Sequence, residues 1–374
     1  MSDEPHRRGS GSTDPAPIGV PSTATPPAGA PGIGAPRRVA PAPEGEATLP
    51  PPKVPISCLQ PGGWPGRLRR ALRAAVPQPA LRQMRALRGQ QPPRIVELPD
   101  LDAELRHAAE LFDESEEAAR AFLRSFEVAP PLQRPDDPCS DAYRAWVWDV
   151  YRQVAQRPHY TTANEASPFD LAAAVRSPYP YSTGSSAVVG EELMARGFIV
   201  KALGLTPPAR IVEFGSGWGN LTLDLVAMGF DVISVEIEDR FCSLMEQRNR
   251  RPELLRTVRS DMLSFAVEEP VDAVVFYESF HHCADHLRML RQLDQMVRRG
   301  GTVLFAGEPV GPLAFPWGLR LDGYSLWSTR TYGWLELGFD DAYFAEVLAR
   351  TGWRAERRSL PKASPLADVI IAHR

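Results

Sequence analysis

The sequence predicts a doubly wound α/β fold with a mostly parallel, seven-stranded sheet in its C-terminal part. Two observations support this prediction. From residue 209 onward, short apolar runs alternate with helical patterns of about 10 to 15 residues, which is typical of βαβ units. The first apolar run leads directly into a glycine-rich turn at residues 215–219 and then into a helix. In such folds, ligands bind at the carboxyl ends of the strands.

Seven strands and the helices between them follow in order along this part of the chain. An aromatic-rich insert over residues 309–334 separates the fifth strand from a helix over 340–352. The predicted strands cover residues 209–214, 231–237, 255–261, 271–278, 301–309, 353–360 and 367–374.

The chain before the sheet divides into two parts. Residues 1–56 are rich in Pro, Gly, Ala, Ser and Thr and have no helical or strand periodicity, so they predict a disordered tail. For residues 57–186 the sequence predicts a helical extension and cap, with helices over 101–126 and 141–156. The remaining residues, 187–374, contain the predicted sheet.

An arginine-rich segment covers residues 64–89, where seven arginines occur without an acidic residue. Two interpretations stay open. The segment forms two short solvated helices that pack on the domain, or it makes peripheral contact with a membrane, RNA or an acidic partner.

Bulk composition narrows the classes of protein to which the chain can belong. The formal net charge is -4, which disfavours a chain built wholly around nucleic acid. No apolar run reaches the roughly 18 residues of a membrane-spanning helix, and no secretory leader is visible. The four cysteines are far apart, so we expect reduced thiols and a cytoplasmic location.

The glycine-rich turn and one acidic residue point to a nucleoside ligand. Gly215, Gly217 and Gly219 allow a sharp turn and close approach of a ligand to the backbone. The helix that follows offers free N–H groups at its N-terminus. Glu236 ends the second strand about 20 residues later, the spacing at which an acid binds ribose hydroxyls.

Residues 212–220, VEFGSGWGN, resemble the first motif of class I S-adenosylmethionine-dependent methyltransferases. A dinucleotide-binding turn has a third glycine where Asn220 stands here, which disfavours a dehydrogenase. The fourth-strand segment VDAVVFYESFHH, the fifth-strand segment VRRGGTVLFAGEP and a closing pair of strands are similar to the family's later motifs. The resemblance covers about residues 209–374 and implies that residues 187–374 form an S-adenosylmethionine-binding methyltransferase domain.

The resemblance also implies the cofactor and the residues around it. The cofactor is S-adenosyl-L-methionine, and in this family an acid and an apolar neighbour after the third strand hold the adenine. The implied cofactor-site residues are Glu213, Gly215, Ser216, Gly217, Gly219, Asn220, Glu236, Ile237, Asp261, Met262 and Tyr277.

Catalytic candidates lie where the fourth strand ends, because ligands bind beyond the carboxyl ends of parallel strands. Imidazole titrates near neutrality, so His281 or His282 is the first candidate for the base that deprotonates a hydroxyl, with Glu278 in reserve. Because neighbouring side chains point apart, we expect only one of the two histidines to face the pocket.

A zinc site is disfavoured at this loop. His282, Cys283 and His286 lie close in sequence to His281, but no second distant ligand pair is evident, so we expect no metal. Aromatic residues of the 309–334 insert have two interpretations, a wall for a sugar or flat ring and packing against the sheet. They are Trp317, Tyr324, Trp327, Tyr332 and Trp334.

The sequence favours O-methylation of a small-molecule or glycan acceptor. Nucleic-acid or protein methylation and a non-catalytic adaptor that retains the fold are the alternatives. The sequence shows no NPPY-like loop for base amino groups, which disfavours a nucleic-acid acceptor. Neither the acceptor nor the oligomeric state follows from the sequence.

Overall fold

The computed structural model describes residues 93–131, 133–166, 169–360, 364 and 366–374. The predicted tail over 1–56 and the arginine-rich segment over 64–89 lie outside the described residues, so both interpretations of them stay predictions. Among the helices of the described residues, none combines the length and the apolar character needed to cross a bilayer.

Within its described residues, the extension before the sheet contains helices and one pair of short strands. Its elements are β1 (Arg94–Val96), α1 (Leu101–Glu114), α2 (Glu116–Leu123), β2 (Phe126–Val128), α3 (Asp141–Ala155) and α4 (Leu171–Arg176).

Two helices replace the single helix that the sequence predicted over residues 101–126. Ser115 adopts an extended backbone between them, and its hydroxyl accepts a hydrogen bond from the Ala118 N–H, which starts the second helix. The chain then leaves the helical pattern at Phe126, because residues 126–128 pair with β1 in parallel. The predicted helix over 141–156 agrees with α3 to within one residue.

The C-terminal part alternates strands and helices as predicted. Its elements up to the fifth strand of the sheet are α5 (Ser186–Leu203), β3 (Arg210–Phe214), α6 (Asn220–Met228), β4 (Asp231–Glu236), α7 (Asp239–Arg248), β5 (Leu255–Arg259), β6 (Val271–Tyr277), α8 (His286–Met296) and β7 (Val297–Ala306). The insert and the end of the chain add β8 (Val310–Gly311), β9 (Trp317–Leu319), α9 (Gly323–Tyr332), β10 (Leu337–Asp340), α10 (Asp341–Arg350), β11 (Arg354–Ser359) and β12 (Asp368–His373).

The central sheet has seven strands in the order β11-β12-β7-β6-β3-β4-β5. The five strands from β3 to β7 are parallel, whereas β12 runs antiparallel to both β7 and β11. This confirms the predicted fold class, including the closing pair of strands. The strand order reverses between β3 and β6, which places the topological switch point, where ligands bind in such sheets, at the ends of these two strands.

Three stacked phenylalanines fix the sheet beneath that point. The Phe214 and Phe276 rings of β3 and β6 lie 5.1 Å apart, and the Phe276 and Phe305 rings of β6 and β7 lie 5.3 Å apart. Phe280, which follows β6, packs edge-on against two of them. All four are buried, so the ends of β3, β6 and β7 are held in register by one aromatic layer.

The insert after β7 forms a small sheet of its own in the order β8-β10-β9. β10 runs parallel to β8 and antiparallel to β9. Because β8 begins only four residues after β7 ends, the insert starts at the carboxyl edge of the central sheet. It can therefore supply side chains to a site at that edge.

Candidate functional site

The glycine-rich turn between β3 and α6 requires glycine for two separate reasons. Gly215, Gly217 and Gly219 have φ angles of 65°, 49° and 68°, which side-chain-bearing residues rarely adopt. A Cβ on Gly215 would lie 2.6 Å from the Ser279 Cβ, and one on Gly219 would lie 2.1 Å from the Met245 Cγ. A Cβ on Gly217 would meet nothing within 4 Å, so this glycine faces open space.

Glu236 ties the turn to the end of β4. Its Oε2 accepts a hydrogen bond from the Gly217 N–H at 2.9 Å, and its Oε1 accepts one from the Ile237 N–H at 2.7 Å. Burial raises the pKa of this carboxyl, although the backbone N–H groups work in the opposite direction. The residue thus lies beside the turn, as the sequence predicted, with its carboxylate already bound to backbone.

Asp261 and Met262 follow β5, near the same turn. The Asp261 Oδ1 accepts hydrogen bonds from the Leu263 and Ser264 N–H groups at 2.9 and 3.0 Å. The Met262 Cε lies 3.6 Å from the position that a Cβ on Gly215 would occupy. The fold therefore brings this pair to the glycine turn.

Other predicted cofactor residues make contacts within the protein. The Asn220 amide donates to the Tyr179 carbonyl at 2.7 Å and accepts from Arg248 at 2.9 Å, which joins the extension to the turn. Glu213 is buried and accepts a hydrogen bond from the Thr222 hydroxyl at 2.5 Å, and burial raises its pKa to about 8.

The remaining two predicted cofactor residues are a serine of the turn and a tyrosine at the end of β6. The Ser216 hydroxyl lies 2.6 Å from the Ser234 hydroxyl, and the Tyr277 hydroxyl donates to Glu192 at 3.0 Å.

A cavity of about 710 Å³ extends from the glycine turn to the 309–334 insert. Its volume is within the range of small-molecule sites, roughly 300–1,000 Å³. The cavity brings residues predicted from the sequence together with residues of α2, of α5 and of the segment just before β10. The residues that line it include Arg120, Glu192, Glu213, Gly215, Ser216, Gly217, Asn220, Tyr277, Glu278, His281, His282, Arg320 and Glu336.

Glu278 stands in an unusual backbone conformation at the end of β6. Its φ is 49°, which costs a residue with a side chain on the order of 1–3 kcal/mol. Its Cγ lies 2.8 Å from where a Cβ on Gly307 would stand, so a glycine is needed beside it. Protein atoms surround Glu278, yet it is exposed toward the cavity it lines. Burial among protein atoms raises its pKa to about 7, with His281 opposing and nearby carboxyls adding to the shift.

Glu308 holds the loop that carries His281. Its Oε1 accepts hydrogen bonds from the Ser279 and Phe280 N–H groups, both at 2.8 Å. Its Oε2 accepts from the His281 N–H at 3.1 Å and lies 2.8 Å from His281 Nδ1. Since a carboxylate accepts, Nδ1 carries the proton and Nε2 is left for another partner. Burial lowers the pKa of His281, but the hydrogen bond and charge of Glu308 outweigh it and leave the pKa raised.

Both histidines face the same cavity, so the expectation that only one would do so is wrong. The rings of His281 and His282 lie 4.1 Å apart, tilted by 39°. Residues 280–282 form a single 3₁₀ turn instead of a strand exit, so consecutive side chains are not forced to opposite sides. Burial and the neighbouring His281 hold the pKa of His282 well below its usual range.

The fold also supplies the distant ligands that the sequence did not reveal. Glu336 Oε2 lies 3.8 Å from His281 Nε2, and Glu165 Oε2 lies 3.3 Å from His282 Nδ1. The latter pair is close but lacks hydrogen-bond geometry, and His282 Nδ1 is buried with no hydrogen-bond partner among the described residues. The argument against a metal, that no distant ligand accompanies the histidines, therefore does not hold.

Four of the five insert aromatics named from the sequence line the cavity. They are Tyr324, Trp327, Tyr332 and Trp334. Trp317 does not belong to this wall, because it is 3% exposed and its Nε1 donates to the Pro138 carbonyl at 2.8 Å. Its ring packs at 4.5 Å against His286, so it belongs to the core.

Sequence reasoning missed the charged residues that the tertiary structure adds to the site. Glu308 and Glu336 follow β7 and precede β10, and Glu165 and Arg320 come from the extension and the insert. Glu308 lies within the fifth-strand segment that carried the family resemblance, directly after Gly307. That position was the one feature of the sequence that could have marked Glu308 as a site residue. The other three have no local pattern that marks them as members of a site.

A family model described as a methyltransferase domain matches residues 212–305. Uncharacterized methyltransferases of Bacillus cytotoxicus and Bacillus mycoides are 31% and 30% identical over 98 residues, 26% of this chain and 45% of each relative. The chain thus spans less than half the length of these curated relatives.

One solved structure to which the chain is similar is a Burkholderia thailandensis 1,6-didemethyltoxoflavin-N1-methyltransferase with bound 1,6-didemethyltoxoflavin and S-adenosylhomocysteine. The identity is 22%, the similarity covers 57% of this chain and 93% of that chain, and the TM-score is 0.38.

The family match covers the part of the chain that forms the cofactor edge of the sheet. Residues 212–305 run from β3 through the glycine turn to β7, the parallel strands on either side of the switch point. The glycine turn, the acid at the end of β4 and the strand order agree with that match. Residues 212–305 are therefore similar to a methyltransferase domain.

Proposed function

We propose that the protein is an S-adenosylmethionine-dependent methyltransferase that methylates a hydroxyl group of a small-molecule or glycan acceptor. The observation that carries the proposal is the single cavity that joins the glycine turn to Glu278 and His281. Methyl transfer is an in-line displacement, so donor and acceptor must be held together in one space.

The cofactor would occupy the end of the cavity at the glycine turn. Gly217 leaves open space there, and Glu236, Asp261 and Met262 surround the turn. The Glu236 carboxylate has about four lone-pair sites, and backbone N–H groups use three of them, so one remains for a ribose hydroxyl.

The acceptor would occupy the end of the cavity toward the insert. Its hydroxyl proton must leave as the methyl group arrives, and we assign Glu278 to receive that proton. The Ser279 side chain, next in sequence, would touch a Cβ on Gly215, so the base and the cofactor turn are adjacent. His281, fixed through Glu308, lines the same end of the cavity.

The lining of this end suits an acceptor that is apolar on one face and rich in hydroxyls. Tyr324, Trp327 and Trp334 provide flat apolar surface, whereas Glu336 and Arg320 offer hydrogen-bonding groups of both kinds. Sugars and related ring compounds have this combination of features, since C–H groups stack on aromatic rings and hydroxyls bond to charged groups.

The first prediction concerns the cofactor. The purified protein is expected to bind S-adenosylmethionine and S-adenosylhomocysteine, and not NAD, in isothermal titration calorimetry. Gly217→Leu is expected to abolish that binding, because the new side chain would enter the open space at the turn.

Gly300→Leu is the matched control for this substitution. Gly300 also has a positive φ, 75°, and nothing within 4 Å of a Cβ, but it lies near the start of β7, away from the carboxyl ends. The control is expected to bind the cofactor like the wild type. Binding of NAD without binding of either S-adenosyl compound would contradict the proposal.

A further inference from the structure

We propose that one ring nitrogen each from His281 and His282 and one carboxylate oxygen of Glu336 bind a divalent transition-metal ion at the acceptor end of the cavity. These three atoms lie within 4.8 Å of one another. The inference rests on the proposed function, because it assigns how the site would hold the acceptor oxygen. It also departs from the expectation, drawn from the sequence, that this loop binds no metal.

The three ligand atoms must draw closer together to hold an ion. Metal–nitrogen and metal–oxygen bonds of about 2.0–2.2 Å place neighbouring ligand atoms roughly 3–3.5 Å apart. His281 Nε2 and Glu336 Oε2 are already 3.8 Å apart. The histidines come from the turn after β6 and Glu336 from the segment before β10, so two separate elements close around the position.

Glu308 gives His281 the surroundings of a metal ligand. A histidine that binds a metal almost always donates its other ring N–H to a carboxylate or carbonyl, which fixes the tautomer and increases ligand basicity. His281 Nδ1 lies 2.8 Å from Glu308 Oε2, which leaves Nε2 directed toward Glu336. The same Glu308 fixes the loop through three backbone N–H groups, so the ligand is held in place before an ion arrives.

His282 and Glu165 are a second observation that points to an ion. His282 Nδ1 is buried and makes no hydrogen bond within the described residues, an arrangement that costs about 1–3 kcal/mol for an ordinary polar group. Glu165 Oε2 lies 3.3 Å away but lacks hydrogen-bond geometry, so Nδ1 is the nitrogen of His282 that is left for an ion. Coordination would give Nδ1 the partner it lacks, and His281 already has the carboxylate partner that metal-bound imidazoles have.

The charge of the cluster favours a cation. The carboxyls of Glu165, Glu278, Glu308 and Glu336 surround the two histidines, and Arg320 is the guanidinium that approaches Glu336, at 3.8 Å. Arg320 is also bonded to Asp322, so its charge is shared. Ionised carboxylates here would place negative charge around the imidazoles, and a divalent ion at the centre of the group would compensate it.

An ion with three protein ligands would keep an open position toward the cavity, as catalytic metal sites do. The acceptor hydroxyl oxygen would bind there, and the ion would lower the pKa of that hydroxyl. Its proton passes to Glu278, the oxygen forms a bond to the methyl carbon, and the carbon–sulfur bond breaks with its electron pair on sulfur. The products are the methyl ether and S-adenosylhomocysteine. Imidazole and carboxylate ligands suit Zn²⁺, Co²⁺, Mn²⁺ or Fe²⁺.

The test is a titration of the full-length, tag-free protein, stripped of metal with a chelator, with Co²⁺ and then Zn²⁺. We expect one equivalent of Co²⁺ to bind with the visible absorption of a low-coordinate site and to be displaced by Zn²⁺. Glu336→Gln and His282→Ala are expected to weaken Co²⁺ binding at least tenfold. His107→Ala, which removes an exposed histidine of α1, is the control and should bind Co²⁺ like the wild type.

Two results would overturn the metal site. One is no stoichiometric Co²⁺ binding by the wild type, and the other is equal Co²⁺ affinity in wild type and Glu336→Gln with unchanged melting temperatures. Binding of S-adenosylhomocysteine to the metal-stripped protein separates this failure from failure of the proposed function. If the cofactor binds and Co²⁺ does not, the methyltransferase proposal stands without the metal.

Discussion

Replacing Glu278 with glutamine is expected to slow methyl transfer on the order of 10²–10⁴-fold, the range in which loss of a positioned base falls. Glutamine has nearly the shape of glutamate but cannot take the acceptor proton. The affinity for S-adenosylhomocysteine should stay near that of the wild type, because the glycine turn and Glu236 are untouched. Turnover of the acceptor and calorimetric affinity for the cofactor would be measured on the same preparation.

Glu191→Gln is the matched control, because Glu191 is an exposed glutamate of α5 outside the cavity lining. It should leave both turnover and cofactor affinity unchanged. If Glu278→Gln keeps full activity, the proton leaves by another route, and His281 becomes the base to test. A parallel loss of cofactor affinity in Glu278→Gln would instead indicate that the substitution had disturbed the turn after β6.

Lowering the pH from 7.5 to 4.5 is expected to remove about 3 kcal/mol of folding free energy through His286 alone. The ring is 1% exposed, its Nε2 lies 2.6 Å from the Tyr343 hydroxyl, and it packs against the rings of Trp317 and Phe339. Burial lowers its pKa from 6.5 to about 3, although Asp285 opposes the shift.

The sign of this effect follows from which state binds the proton. Below pH 6.5 the unfolded chain protonates His286, whereas the folded protein keeps it neutral down to about pH 3. The stability that a neutral His286 permits is therefore complete above pH 6.5 and is lost as the pH falls toward 3.

Denaturant unfolding of the wild type and His286→Asn at several pH values would measure the effect. Carboxyl groups titrate in the same range, but their contribution is common to both proteins and cancels in the difference. Asparagine does not titrate, so the variant should lose about 3 kcal/mol less than the wild type between pH 7.5 and 4.5. Equal pH dependence in the two proteins would show that His286 is not held neutral in the core.

Much of the fold could be predicted because its signals are local. The alternation of apolar runs with helical patterns depends on residues close in sequence, and it identified the strands and helices of the sheet. The glycine turn was visible for the same reason, since Gly215 and Gly219 each need both a positive φ and the absence of a Cβ. Element ends were less certain, as the break at Ser115 shows, because a single cap hydrogen bond decided it.

The acceptor end of the site could be predicted only in part. His281, His282 and Glu278 were found because they follow a buried strand, and the end of such a strand is a known position for ligands. Their orientation was not predictable, because a 3₁₀ turn after the strand, and not the alternation of a strand, directs the two histidines into one cavity.

The sequence by itself determined the sheet, the glycine turn, the resemblance to a methyltransferase family and the loop that carries the candidate catalytic residues. Only the tertiary structure decided which distant residues lie beside that loop. Glu165 lies more than a hundred residues before His281, and Glu336 more than fifty after it, yet both approach the two imidazoles. Trp317 was placed in the core by its hydrogen bond to Pro138, another contact between distant residues. Local patterns report which face of an element is buried, but contacts between remote segments depend on how the insert and the extension fold back over the sheet.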